Sequence, residues 1–375
     1  MSLARDALLL SAVGAALLPR VVVARGWLSR GARKSPGVAP DPERRVRARD
    51  LSIIIPARNE AHRLPRLLAS LRTAGAAPHE VIVVDDHSTD GTAGVAAGAG
   101  ARVVVPDETP AGWIGKTFAC ATGAAAAAGS HLLFLDADTW FEPGGLDALL
   151  ATADPEAAWS VCPYHRVERP YEWLSLYFNV MMMAGTLASP HGLFGQVLLV
   201  PKAAYDAAGG HAAVRHHILE NSLLGDRLAG HGVRVVAVPG RSQLAMRMYP
   251  DGVRDLMRGW MKSFTAGASR TPAWLLMLSI VWMGSGLVAT GALLVLPRNP
   301  AVILAALTGL AAIVHAVELR RVARAIGNYP WRACLAFPIT LLFFQAVFIA
   351  GAVLGALGRS PAWKSRAVKI GRAHV

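Results

Sequence analysis

Apolar residues fall along this chain in three regimes. Residues 7–23 are apolar apart from Arg20, and Arg25, Arg30, Arg33 and Lys34 follow them. A cleaved leader carries its basic residues before the apolar run. Residues 1–34 are therefore read as a membrane anchor whose C-terminal flank faces the cytoplasm. Residues 35–50, with Pro36, Pro40 and Pro42 among charges, suit a linker. From Leu51 short apolar runs alternate with helical stretches. Residues 51–55, 80–84, 102–105 and 131–135 read as strands, and 63–74 and 114–129 as helices. That alternation predicts an α/β domain over 51–270, with a parallel sheet and helical crossovers. Within it, residues 171–189 are apolar and aromatic but hold Glu172 and Asn179. A core helix and a helix lying in the membrane interface both fit that segment. In the third regime, residues 271–297, 299–317 and 333–358 carry no charge, and each is long enough to cross a bilayer.

Composition agrees with a chain partly in lipid. Hydrophobic residues make up 53% and charged residues 17%, where a soluble domain carries about 25% charged. The formal net charge is +13, which calls for an acidic partner. Arg320, Arg321, Arg324 and Arg332 lie between the last two apolar segments, and Arg359, Lys364, Arg366, Lys369 and Arg372 follow the last. Charges so placed meet anionic headgroups. A nucleic-acid surface would interleave them with exposed aromatics in a soluble domain, so no nucleic-acid partner is expected. The three cysteines, Cys120, Cys162 and Cys334, form no close pair. They give neither a disulfide framework nor metal-ligand spacing, and they suit a reducing, cytosol-facing domain. The expected location is the cell membrane, multi-pass, with the α/β domain cytoplasmic and the 320–332 cluster inside. A spanning 333–357 would leave the basic tail 359–375 outside, against the charge rule. A re-entrant path broken near Pro338 would keep it inside.

The candidate chemistry lies at the strand ends. In an open parallel sheet, ligands bind at the carboxyl ends of the strands. Those ends are Pro56-Ala57-Arg58-Asn59-Glu60, Asp85 to Thr92, and Asp136-Ala137-Asp138. One acidic strand end is commonly a helix cap, and Asp90 fits that role. Three on one rim make a site. A nucleoside diphosphate leaving group develops negative charge, which a divalent cation neutralises. Mg2+ and Mn2+ prefer hard oxygens, often one or two carboxylates plus substrate phosphates. Asp136 and Asp138, alternate residues just past a strand, suit ribose and metal respectively. Gly112-Trp113-Ile114-Gly115-Lys116 opens a helix, and a helix N-terminus with a lysine suits a phosphate.

The segments LSIIIPARNE, VIVVDDHSTDGT and LLFLDADT resemble the family 2 glycosyltransferases, which have the GT-A fold. The likeness covers roughly residues 51–270. It implies a Rossmann-like nucleotide-sugar domain in which Pro56, Arg58, Glu60 and Asp86 hold the nucleoside. By the same likeness Asp136 serves the ribose and Asp138 a Mg2+ or Mn2+ ion. The stretch ending at Lys116 resembles the lipid-acceptor branch of that family. GGH at 209–211, RMYP at 247–250, GWMKSF at 259–264 and the tail Trp363-Lys364-Ser365-Arg366 are similar to the carotenoid-acid glycosyltransferases.

Two places depart from the family pattern. The helix after the acceptor loop usually opens Glu-Asp, with the Asp as general base, and here the residues are Glu220 and Asn221. An amide takes no proton from a hydroxyl. Either Glu220 is the base, or the acceptor is a carboxylate or phosphate that needs little help, or activity is weak. His216 and His217 lie nearby in sequence and read as a solvated pair. Arg258 and Trp260 are similar to the QxxRW motif of processive synthases, but the spacing does not match. They are candidates for covering the donor diphosphate, and an amphipathic interfacial helix accounts for them equally.

The resemblance implies an inverting, metal-dependent transfer from a nucleotide-sugar, a UDP-hexose, to a membrane lipid such as a carotenoid or another isoprenoid. A polyprenyl-phosphate acceptor is the alternative within the same chemistry. A non-catalytic membrane protein that binds nucleotide-sugar is the alternative from another class.

Overall fold

The computed structural model describes residues 6–8, 11, 45–217, 220–241, 243–267, 273–295 and 302–356. The expected anchor at 7–23 lies almost wholly outside the described residues, as do most of the 35–50 linker and all of the 359–375 tail. The chain divides into two compact units.

The first unit runs through residues 30–165 and 190–247 and is built on a sheet. Its strands are β1 (Leu51–Ala57), β2 (Glu80–Asp85), β3 (Arg102–Val104), β4 (His131–Leu135), β5 (Thr139–Phe141), β6 (Ala158–Cys162), β7 (Tyr164–His165), β8 (Val197–Pro201), β9 (Val235–Pro239) and β10 (Leu244–Met246). Seven of them form one sheet in the order β3-β2-β1-β4-β8-β6-β9, and β5-β10-β7 form a small second one. The four strands expected from sequence pair in parallel as expected, β1 with β2 and β4, and β2 with β3. The sheet as a whole is mixed, because β8 runs antiparallel to both β4 and β6.

The apolar run Ile53-Ile54-Ile55 of β1 follows from cover on both faces. Ile53, Ile55, Val83, Leu133 and Leu199 point to a core closed by Leu64, Leu67, Leu68 and Leu71. Those leucines form the i, i+3, i+4, i+7 stripe of helix Leu64–Leu71. Ile54, Ile82, Val84, Phe134, Leu198 and Val200 point the other way, onto helix Gly115–Ala126 through Ala119, Cys120 and Ala124, and onto helix Glu220–Gly230 through Leu224 and Leu228. Helix Gly115–Ala126 lies very close to the sheet. A Cβ at Gly123 would stand 2.5 Å from Ile54 Cγ2. The alanine-rich sequence of 114–129 is what that short separation requires.

The second unit comprises residues 1–29, 166–189 and 248–375, and its described elements are helices. Helices Ala273–Val295, Val302–Ile326 and Phe337–Ala356 match the three apolar segments, and all three are long and apolar enough to cross a membrane. Their large outward side chains are apolar: Met277, Leu294, Val302, Ile303 and Ile339 are exposed. Pro338 does not interrupt the last helix. It sits in the first turn, where a missing N–H costs nothing, and a separate short helix, Trp331–Leu335, precedes it. Residues 171–189 form a 3-10 turn, Pro170–Ser175, and the helix Leu176–Ala188. Leu176 to Val180, Met183 and Ala184 are buried within this unit. Tyr177 Oη lies 2.6 Å from His315 Nε2, and the Asn179 amide donates to Tyr329 Oη at 2.7 Å. The polar residues of that apolar segment are therefore partnered inside a helical core.

Candidate functional site

Three chain segments meet at the C-terminal rim of β1, β2 and β4. Two are stitched together by hydrogen bonds. Asn59, held at φ 54°, donates its backbone N–H to Ser88 Oγ at 2.9 Å, and its side-chain oxygen accepts the Thr89 N–H at 2.8 Å. The Glu60 N–H donates to Thr92 Oγ1 at 2.9 Å, and the Ala61 N–H to Asp90 at 3.0 Å. Asp90 also accepts the Thr92 N–H and hydroxyl, so it ties the two loops together; the N-cap of helix Thr92–Gly98 is Gly91, one residue past the position expected for the cap. Across this seam Arg58 pairs with Asp86 at 3.3 Å, and Glu60 pairs with Arg63 at 3.2 Å. Pro56 is the penultimate residue of β1, opposite Val84. The four residues expected at the nucleoside thus share one end of the rim.

At the centre stand Asp136 and Asp138, directly after β4. Lys116, in the first turn of its helix, reaches Asp136 Oδ1 at 2.5 Å and donates to the Gly195 carbonyl at 2.9 Å. Burial pushes the Lys116 ammonium down, but the Asp136 and Glu220 carboxylates outweigh it and hold it well above the usual lysine range. Burial, reinforced by the Asp136 and Glu60 carboxylates, pushes the Asp138 carboxyl up to about 7. Such a concentration of acid is stabilised by a bound cation. Among the described residues no three His, Cys, Asp or Glu side chains stand together as a metal cage. One or two carboxylates completed by substrate phosphates is the arrangement Mg2+ and Mn2+ favour, and the hard oxygens here fit it.

The acceptor end is the start of helix Glu220–Gly230. Glu220 is buried and shares the inward stripe with Leu224 and Leu228. The Asn221 amide donates to Glu220 Oε1 at 3.2 Å. Asn221 also packs on Gly195, where a Cβ would come within 2.4 Å of its Nδ2. Gly195 therefore joins the Lys116 side of the site to the Asn221 side. His216 and His217 are exposed, with the His216 ring close to Gly112.

Arg258 and Trp260 belong to the helical unit, on helix Val253–Gly267. Arg258 is exposed there. Trp260 is buried, stacked on Phe178 at 4.8 Å, with its indole N–H donated to Ser175 Oγ.

The Gly195-Gln196 segment was missed in the sequence. Strands read as parallel reach the rim by their carboxyl ends, whereas β8 is reversed and meets the rim with its amino end. A polar pair before VLLV was the available signal.

Comparison with known proteins agrees with this architecture. Residues 52–223 match the model of the family described as Glycosyl transferase family 2. A 4,4'-diaponeurosporenoate glycosyltransferase of Staphylococcus haemolyticus is 38% identical over 247 residues, covering 62% of this chain and 66% of that protein. The protein of the same description from Staphylococcus aureus is 32% identical over 313 residues, covering 80% of this chain and 83% of that one. Among solved structures, a mannosyltransferase of Pyrobaculum calidifontis in complex with GDP-Man and Mn2+ aligns over 97% of this chain and 99% of its own, with TM-score 0.52 and 20% identity. That likeness speaks to the fold, a GT-A sheet. With a strand rim of this kind and a relative of this identity over most of both chains, this chain belongs to glycosyl transferase family 2.

Proposed function

We propose that this glycosyltransferase transfers a hexose from a nucleotide-sugar, a UDP-hexose, to the carboxylate of an apolar, carotenoid-like acid in the membrane. Asn221 carries the reading. The residue at the head of helix Glu220–Gly230 is an amide, which serves no acceptor that must lose a proton, whereas an ionised carboxylate has none to lose. The neighbouring Glu220 accepts the Asn221 amide at 3.2 Å, so one of its carboxylate oxygens is already engaged within the site. The relatives are described as acting on a diaponeurosporenoate, itself a carboxylate.

One carboxylate oxygen attacks the anomeric carbon, the bond from that carbon to the diphosphate oxygen breaks, and the nucleoside diphosphate leaves with the electron pair. The product is a glycosyl ester of inverted configuration. Arg58, Glu60 and Asp86 hold the nucleoside, Asp136 the ribose, and Lys116 stands beside the diphosphate. Asp138 would hold a divalent cation, which when bound would supply charge neutralisation for the leaving group.

The sheet unit works on the cytoplasmic side of the cell membrane, and helices Ala273–Val295, Val302–Ile326 and Phe337–Ala356 hold the protein in it. The test is transfer by the full-length protein in nanodiscs, offered a carotenoid acid, the matching carotenoid alcohol and a polyprenyl phosphate. The acid is expected to be consumed, giving a product that mild alkali cleaves. Exclusive use of the alcohol or the phosphate refutes the reading.

A further inference from the structure

The site is laid out along the strand order. Asp86 follows β2, Arg58 and Glu60 follow β1, Asp136 and Asp138 follow β4, and Gly195-Gln196 precedes β8. Neighbouring strands are about 4.8 Å apart, so three steps from β2 to β8 cover roughly 14 Å. A nucleotide-sugar lying along that line has its nucleoside at β2 and β1 and its diphosphate at β4. Its sugar then falls at β8.

The Gly195-Gln196 segment is tied to everything around that last position. The Gly195 carbonyl receives Lys116, and its Cα makes room for Asn221. The Gln196 carbonyl accepts the Asp136 N–H at 2.9 Å. Strand alternation sets the Gln196 side chain. Leu198 and Val200 face helices Gly115–Ala126 and Glu220–Gly230, and Gln196, two residues before Leu198, shares their side of the sheet. Its half-buried side chain is therefore placed on the face of the sheet that helices Gly115–Ala126 and Glu220–Gly230 cover. The side-chain Oε1 is shielded from solvent and has no hydrogen-bond partner. A buried amide end without a partner is uncommon and calls for a reason, and ligand completion at a binding site is such a reason.

We infer that Gln196 reads the transferred sugar, its side-chain amide hydrogen-bonding one hydroxyl of the donor hexose. A hydroxyl both donates and accepts, so it completes the amide in either of its two orientations. The inference rests on the nucleotide-sugar reading of the site, and it adds which group of the donor this residue selects.

The test is isothermal titration of the full-length protein in nanodiscs, with Mn2+, against UDP, UDP-glucose and the four monodeoxy analogues of UDP-glucose. In the wild type, removal of one particular hydroxyl is expected to weaken binding roughly tenfold. In Gln196→Met the same analogue and UDP-glucose bind alike, while UDP binds as in the wild type. A deoxy penalty of equal size in both proteins overturns the inference, as does a wild type indifferent to every hydroxyl. Should Gln196→Met lose UDP as well, Gln196→Glu, which keeps an acceptor oxygen, decides: a retained penalty supports the inference and a lost one overturns it. A wild type that binds neither UDP nor UDP-glucose refutes the nucleotide-sugar reading itself.

Discussion

Replacing Glu220 by Gln asks whether the acceptor brings a proton to the site. The substitution is isosteric, and the amide oxygen still accepts the Asn221 N–H that now reaches Glu220 Oε1 at 3.2 Å. The inward stripe of Glu220, Leu224 and Leu228 is kept, so the helix and its packing survive. What changes is one negative charge beside Lys116 and one possible proton acceptor. A positioned general base contributes about 10²–10⁴-fold to rate. If Glu220 deprotonated a hydroxyl, kcat would fall by that factor with the donor KM nearly unchanged. For a carboxylate acceptor, already ionised near pH 7, the base contributes nothing, and kcat is expected to stay within about fivefold of the wild type. The acceptor KM falls, because a like charge near an anionic substrate has been removed. The assay is chromatography of pigment esters formed by full-length protein in nanodiscs, with saponification to confirm the ester. A loss of about 100-fold or more in kcat, with normal donor KM, would show that Glu220 is the base and that the carboxylate reasoning is wrong.

Further outcomes follow from the same geometry. Asp138→Asn abolishes metal-dependent transfer; measured by thermal melting without metal above pH 7, it also raises the melting temperature. The sign follows from a folded-state pKa of about 7 against the ordinary value of 3.8: the folded state disfavours the carboxylate, so its cost begins above the unfolded value and grows as pH rises to the folded one. For the same reason, apparent Mn2+ affinity of the wild type weakens by roughly tenfold per unit as pH falls below about 7, and a titration series from pH 8 to pH 5.5 would expose a flat profile if Asp138 is not a ligand. Lys116→Met leaves Asp136 without its ammonium and is expected to lower kcat by roughly 10²–10³-fold, with UDP inhibition weakened in parallel; unchanged turnover would remove Lys116 from the site. Gly123→Val drives a side chain into Ile54, whose Cγ2 lies 2.5 Å from the position of a Cβ, and costs about 1–3 kcal/mol of stability, read from denaturant unfolding of the purified protein.

Local pattern determined much of this protein. Runs such as LSIII and VIVVD are apolar on both faces, so only a covered strand satisfies them, and each ends in acid or amide side chains that need solvent or a ligand. Those two facts were enough to place Arg58, Asp86, Asp136 and Asp138 on one rim before any coordinates. All three long apolar segments became helices, because length and the absence of charge are one-dimensional properties; two end within a few residues of expectation, while helix Val302–Ile326 runs nine residues past 317, through Glu318 and the arginines, since a charge ends an apolar segment but not a helix. Strand direction is not one of them. Nothing in VLLVP says that β8 runs against β4, and that reversal alone brings Gln196 to the site. Lys116 read as a helix-start lysine awaiting a phosphate; only the fold pairs it with Asp136 and with the Gly195 carbonyl, from residues 20 and 79 positions away. Trp260 read equally as a ligand cover or as one face of an amphipathic helix, and its stacking on Phe178 depends on a partner 82 residues earlier. Periodicity records which side of an element is buried. Which residues are brought face to face is decided by long-range packing, where the partners share no local signal.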